Sequence, residues 1–416
     1  MKAKLLATSV AMALALTATS AAAVDMHGYF RSGVGVSKDG STQEWKKSVV
    51  GRLGNEADTY TEVELGQEVY NKAGKTFYVD SMFAMTSNGS NDWEGTKGDD
   101  SEFALRQFNV QAKGLISASP DAVVWAGKRF YQRHDLHIID TKYWNVSGSG
   151  AGIENVQAGP GALSVAWIRG DGTNVGSLAD DANDVNINYL DVRYAGLKPW
   201  SGSWVEVGVD YAMPNTTDAQ DEAGGLYDAD NGVMATAELS QEMFGGYNKT
   251  VLQYADKGLA QNMTSQGGGW YDIWSDTSDA KGFRVINTGE LPFGDKVVFN
   301  HVITYGDVDS KDAWTDSTEL FSAVARVHYQ WTDITRSIFE AGTFSQKDTY
   351  NAGNETKQSG QKFTIAQAWA AGSGFWARPE IRVYASYLKD GESDTTFNGG
   401  QDDNTMNFGV QAEAWW

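Results

Sequence analysis

From residue 24 onward, apolar and polar residues alternate with a period of two in one segment after another. In 62–70, Val63, Leu65 and Val69 alternate with Glu62, Glu64 and Glu68. In 204–211, Val205, Val207, Val209 and Tyr211 alternate with Trp204, Glu206, Gly208 and Asp210. In 379–387, Ile381, Val383, Ala385 and Tyr387 alternate with Arg382, Tyr384 and Ser386. In 407–416, Phe408, Val410, Ala412, Ala414 and Trp416 alternate with Asn407, Gln411, Glu413 and Trp415. Successive side chains of a strand point to opposite faces, so each segment predicts a β-strand with one apolar and one polar face. No helical periodicity interrupts the series. Stretches rich in Gly, Asp, Asn and Ser at 87–92, 170–184, 214–225, 264–269, 306–312 and 391–404 read as solvated loops. No linker or composition break divides the chain, which therefore reads as one long β-meander.

Alternation alone fits two opposite architectures. A soluble sandwich or barrel is apolar inside and polar outside. A transmembrane barrel is the reverse. Composition separates them. The chain has 416 residues, of which 41% are hydrophobic, and its mean hydropathy is −0.42. A soluble chain of this length needs near-continuous apolar runs in its central strands, and such runs are scarce. A helical membrane protein would need several apolar spans of about 20 residues, and these are absent. The expectation is an all-β transmembrane antiparallel barrel. An exported, soluble all-β carbohydrate-binding protein or glycosidase is the alternative.

Residues 1–23 break the pattern. Lys2 and Lys4 are followed by an apolar segment over 5–16 and by Ala21-Ala22-Ala23. This is the layout of a secretory signal peptide, so domain 24–416 is expected to be exported. The chain has no cysteine, which excludes a disulfide framework, thiolate metal sites and a thiol nucleophile. Export without cysteine fits a bacterial periplasm or outer membrane. The net charge of −21 repels nucleic-acid phosphates, so no nucleic-acid partner is expected.

Four groups within seven residues, His134, Asp135, His137 and Asp140, could be drawn as a metal site. Their spacing matches no strong ligand motif, so loop or pore lining is the favoured reading and no metal is expected. The run 228–232 resembles a calcium loop, but its Gly falls one position early. No two carboxylates are paired by sequence across a cleft, and no phosphate loop or nucleophile elbow occurs. No catalytic residue, no enzyme activity and no cofactor is expected.

Several blocks carry a resemblance. They are Val24-Asp25-Met26-His27-Gly28-Tyr29, Arg52-Leu53-Gly54-Asn55-Glu56, Asn91-Asp92-Trp93-Glu94, the run from Trp125 to Asp135, and the terminal pair Trp415-Trp416. Over nearly all of residues 24–416 the chain resembles the maltoporins, the sugar-specific porins of the Gram-negative outer membrane. The resemblance implies an eighteen-stranded barrel, assembled as a homotrimer in outer-membrane lipid, with a third loop folded inward. It implies passive diffusion of maltose, maltodextrins or related oligosaccharides. It also implies that outer loops or the periplasmic mouth serve a phage or a periplasmic sugar-binding protein. The arithmetic is compatible: strands of about 10 residues use roughly 180 residues and leave ample chain for loops.

Matched by motif, the aromatic slide for sugar rings would be Trp93, Tyr60, Tyr29, Trp415, Trp376 and Tyr247, the first contributed by a neighbouring subunit. Parity supports lumen-facing positions for Trp415 (with Glu413 and Gln411), Tyr60 (with Glu62 and Glu64) and Tyr29 (with Arg31). It does so also for Trp376 (with Arg378, Glu380 and Arg382). Tyr247 shares parity with Lys249 and Gln253, but Val251 breaks the pattern. The polar track opposite would be Arg31, Arg52, Glu62, Arg106, Arg133, Asp135 and Asp140. Arg106 is discordant, because it shares parity with Phe108, Val110 and Ala112 and so should lie beyond the regular strand if it serves the track. Two departures from the family stand out. Thr141 and Lys142 occupy positions that are usually aromatic, which puts a flexible cation at the constriction and opens the gate to a different or anionic sugar. Ala57 replaces a cysteine of some relatives.

Overall fold

The computed structural model describes residues 24–96, 101–173, 184–223, 229–273, 276–310 and 314–416. The expected signal segment 1–23 lies outside the described residues. Eighteen long strands, numbered β1 to β18 in chain order, form one antiparallel ring from β1 (Asp25–Ser37) to β18 (Asn404–Trp415). Two further two-residue strands, Gly40–Ser41 and Gly172–Thr173, extend the sheet at its rim. The ring closes because β1 pairs on one side with β2 (Thr59–Lys72) and on the other with β18, placing Tyr29 opposite Trp415 and Arg31 opposite Glu413. Closure leaves no unpaired edge, which is the condition for strands to exist in lipid. Connections alternate between tight turns at one end, such as 73–74 and 244–245, and long loops at the other, such as 38–58, 130–147 and 257–280.

The two faces of this wall are inverted relative to a soluble protein. Val34 is 74% exposed, and Phe103, Phe108, Ile303, Phe363 and Ile381 also lie open on the outside. Glu413 is 1% exposed, and Asp191, Asp210, Arg284, Arg336 and Lys362 are buried inside. An apolar exterior around a packed polar interior suits a lipid solvent and removes the soluble sandwich from consideration. No helix among the described residues is long and apolar enough to cross a membrane, and the crossing is made by strands.

Two departures from simple alternation have structural causes. In β4 (Ser101–Lys113), Gln107 pairs with Met82 and Leu105 with Phe83, so Arg106 is an unpaired bulge residue. The bulge inverts parity within the strand: Phe103 and Leu105 face outward before it, Phe108 and Val110 after it, and Arg106 turns inward. Arg106 therefore serves the lumen from within the strand, not from beyond it. In β11 (Gly246–Asp256), Val251 does face inward as parity requires; it is fully buried because an apolar cluster fills that side of the lumen.

That cluster is made by the loop 130–147 folded into the barrel. Tyr131, Ile139, Tyr143 and Trp144 are buried against Val185, Ile187, Met234, Ile286 and Val302 of the inner wall, and against Leu259 and Met263 of the loop 257–280. Arg284 donates to the carbonyls of Tyr143 (3.0 Å) and Asn262 (2.9 Å), so one guanidinium ties both loops to the wall. The first long loop closes the far side: its Arg52 amide donates to the Ile138 carbonyl at 3.0 Å.

Candidate functional site

The inward loop leaves a channel beside it, and a cavity of ≈ 550 Å³ opens there. Tyr29, Tyr60, Trp376 and Trp415 line it together with Arg31, Arg52, Glu62, Arg106, Arg133, Asp135, Asp140 and Lys142. Every polar residue expected from sequence meets at this one cavity, along with four of the six aromatics. Tyr247 lines a smaller adjoining cavity with Trp376, Lys249 and Asn300. Trp93 is 84% exposed in a loop and stands apart from both cavities of its own chain.

The aromatic rings form a succession. Tyr60 and Tyr29 have centroids 6.1 Å apart, and Trp376 and Trp415 are 6.2 Å apart. Strand geometry places Tyr29 and Tyr60, whose backbones pair with the lumen-facing residues Trp415 and Arg31. Trp376 reaches the same wall differently. It lies in the turn 371–379, before the strand β17 (Glu380–Asp390), so parity with Arg382 does not apply to it. His137, not singled out by sequence for the slide, packs on Trp376 at 5.1 Å and on Trp415 at 5.9 Å. Burial first, then the nearby Arg52, holds the His137 pKa well below the ordinary value, so it is a neutral spacer.

A dense hydrogen-bond network fixes the polar side. Glu413 is its hub: it accepts from Tyr29 Oη at 3.0 Å, Arg378 Nη2 at 2.7 Å and Arg382 Nη1 at 3.1 Å, and meets Arg52 Nη2 at 3.0 Å. Arg52 also donates from Nε to Glu56 at 2.8 Å. Arg31 forks onto Asp58 at 2.9 and 2.6 Å. Asp140 is shared by Arg31 (3.5 Å), Lys47 (3.3 Å) and Lys142 (3.5 Å). Burial raises the Asp140 pKa, but Arg52, Lys142, Lys47 and Arg31 outweigh it and keep the carboxyl well below the usual range. Lys142 is thus tethered rather than a free cation. Arg133 pairs with Asp135 at 3.3 Å. Glu413 was legible in the sequence as a lumen-facing carboxylate two residues before Trp415. Glu56 pairs locally with Arg52, four residues before it, whereas Glu413 and Lys47 meet their partners only through contacts between distant segments.

Neutral pyranose rings present C–H faces to aromatic planes and hydroxyls to their rims. Rings interleaved with guanidinium and carboxylate groups around one cavity match both surfaces at once. No group of three or more potential ligands that could hold a metal occurs among the described residues. Of the His134–Asp140 cluster, Asp135 pairs with Arg133, Asp140 with Arg31, Lys47 and Lys142, and His137 packs on the tryptophans.

The inward loop carries a separate latch. His134 Nδ1 contacts Glu238 at 2.9 Å and Nε2 lies 3.6 Å from Glu206, while Lys249 meets Glu238 at 2.8 Å and Tyr143 Oη at 3.1 Å. Burial lowers the His134 pKa, but Glu206 and Glu238 overcome this and raise it. A raised folded pKa stabilises the fold fully below the free-histidine value of 6.5, and the gain is lost as pH rises through the folded value. His134→Gln is expected to cost about 1.5–3 kcal/mol at pH 5.5. The difference from the parent should shrink towards pH 9 in unfolding scans in detergent. A difference that is flat with pH would show that His134 carries no proton in the latch.

Residues 24–416 match the LamB porin family. The chain is 66% identical to a protein named Maltoporin 1 from Aeromonas salmonicida (strain A449), with 100% of both chains covered. It is 61% identical to Maltoporin 2 of Yersinia pestis (strain Pestoides F), again with 100% of both covered. The Pseudomonas aeruginosa OpdK structure shares the fold, with a TM-score of 0.52 at 10% identity over 94% of this chain and 99% of that one. A closed lipid-facing barrel, a charged and aromatic lumen and these full-length matches together place the protein in the Gram-negative outer membrane as a channel rather than an enzyme, and the chain belongs to the LamB porin family.

Proposed function

We propose that the channel passes linear oligosaccharides of the maltodextrin kind by passive diffusion, with glucose rings sliding over Tyr60, Tyr29, Trp415, Trp376 and Tyr247. Arg31, Arg52, Glu62, Arg106, Arg133, Asp135 and Asp140 exchange hydrogen bonds with the hydroxyls. Weak binding at successive positions speeds passage, because each ring must bind and then release. The observation that carries this reading is the convergence of four of these rings and all seven charged residues on one cavity. Relatives named maltoporin support the sugar class.

In this reading the chain works as a homotrimer, and the exposed Trp93 ring begins the slide of a neighbouring subunit. Residues 1–23 are removed on export. The long loops and the opposite mouth are the surfaces open to a phage or to a periplasmic sugar-binding protein.

The test is ion current through the purified protein in a planar bilayer, titrated with maltohexaose. Saturable block is expected. Current that never falls at high sugar concentration would mark a general diffusion pore and overturn the reading.

A further inference from the structure

We infer that the gate is built to admit an oligosaccharide carrying an anionic group, a carboxylate or a phosphate, with Lys142 as the residue that selects it. This rests on the sugar-channel reading above and narrows its substrate class.

Most polar groups of the cavity already have partners. Its acceptors are engaged. Glu62 accepts from Tyr60 Oη at 2.5 Å. Asp135 is held by Arg133 at 3.3 Å. Asp140 serves three cations at 3.3–3.5 Å. Two of those cations have a carboxylate of their own, Asp58 for Arg31 at 2.6 Å and Glu44 for Lys47 at 3.4 Å. Among the described residues Lys142 has only its long 3.5 Å contact with the shared Asp140.

A second donor is also under-used. Arg106 makes no ion pair among the described residues; its guanidinium lies over the Phe130 ring at 4.9 Å, and its Nε is buried without a partner. The cavity lining therefore carries the cations Arg31, Arg52, Arg106, Arg133 and Lys142 against the carboxylates Glu62, Asp135 and Asp140. Arg31 and Arg52 are neutralised from behind by Asp58, Glu56 and Glu413, and Arg133 by Asp135, so Arg106 and Lys142 are the lining cations with the least compensation among the described residues. An ammonium is a compact, strongly hydrated charge, so a neutral hydroxyl replaces its water poorly and an anionic oxygen replaces it well. A low-dielectric wall strengthens that preference.

Lys142 stands on the wall of this cavity. It lies on the short strand Thr141–Trp144 of the inward loop, with its backbone across from Asp135, and its side chain is 35% exposed towards the cavity. A ligand anion arriving there would take over the loosely held ammonium, while Asp140 keeps Arg31 and Lys47.

The experiment compares block of ion current by maltotriose, by maltotriose bearing a 6-phosphate, and by a trisaccharide of uronic acids. Both anionic sugars are expected to block about tenfold more tightly than maltotriose in 0.1 M salt, with the advantage lost by 1 M salt. The advantage should fall about tenfold in Lys142→Met and persist in Lys142→Arg; Lys142→Tyr should shift preference towards the neutral sugar. Advantage for only one anion would assign the source, carboxylate or phosphate. Tight block by maltotriose with no anion advantage, or an advantage unchanged in Lys142→Met, would overturn this inference and leave the sugar channel standing. Block by none of the three would overturn the sugar channel itself.

Discussion

Glu340→Ala is expected to destabilise the barrel by about 3–5 kcal/mol, the largest effect expected of any single truncation, because it removes the carboxylate that two buried cations share. Glu340 lies inside the wall on the strand Thr335–Tyr350. Its Oε2 accepts from Arg326 Nε at 2.6 Å. Its Oε1 accepts from Lys362 Nζ at 2.6 Å and from the Leu53 amide at 3.0 Å. Lys362 in turn donates to the Leu53 carbonyl at 2.8 Å. One carboxylate thus joins three neighbouring strands to the first long loop. The loop approaches so closely that a Cβ on Gly51, at φ +98, would stand 2.4 Å from Glu340 Oε1. Glycine is required there both for its conformation and for its missing side chain. The control is Glu319→Ala, whose pair with Lys347 at 3.7 Å is exposed, and which should change stability by no more than about 1 kcal/mol. Unfolding midpoints in urea, followed by circular dichroism in detergent, separate the two. Equal midpoints would mean that the buried network contributes nothing net. Because the loop also donates from Arg52 to the inward loop, Glu340→Ala should raise open-channel current noise as well.

Trp415→Ala is expected to weaken sugar binding by about 1–3 kcal/mol, on the scale of one aromatic stacking partner lost. The ring is held between Trp376 and His137, with the Arg378 guanidinium over it at 4.3 Å. It is therefore pre-positioned before any ligand arrives, and little ordering cost offsets its contact with a sugar. Trp376→Ala should have an effect of similar size. Trp416→Ala is the informative control. Trp416 is the next residue in the chain but points to the other face, where it packs against Phe30 at 6.4 Å. It should leave block by maltohexaose unchanged. Equal loss in Trp415→Ala and Trp416→Ala would show that the slide does not run along this strand.

Strand identity and facing were legible in the chain because alternation is a local signal. Each side chain's face depends only on its position within its own strand. That is why Tyr29, Tyr60, Trp415, Arg31 and Glu62 could be assigned to the lumen from parity, and why the polar inside followed from composition. Parity failed where the backbone stops being regular. Arg106 sits on a bulge set by its pairing with the preceding strand, and Trp376 sits in a turn. A one-residue slip in register reverses every later side chain, and nothing local announces it.

Local alternation specified strands with one apolar and one polar face, and the residue types for a sugar path. Closure of the wall, and what each lumen residue is bonded to, arise only when distant strands and loops meet. Loops from distant parts of the chain meet inside the ring, so Asp140 comes to serve Arg31, Lys47 and Lys142, and Glu340 comes to hold Leu53. Such contacts join residues up to hundreds of positions apart, and a side chain's charge environment is set by those neighbours rather than by its place in the pattern. That is the physical reason why Lys142 reads from sequence as a free cation and stands in the folded channel as a loosely tethered one.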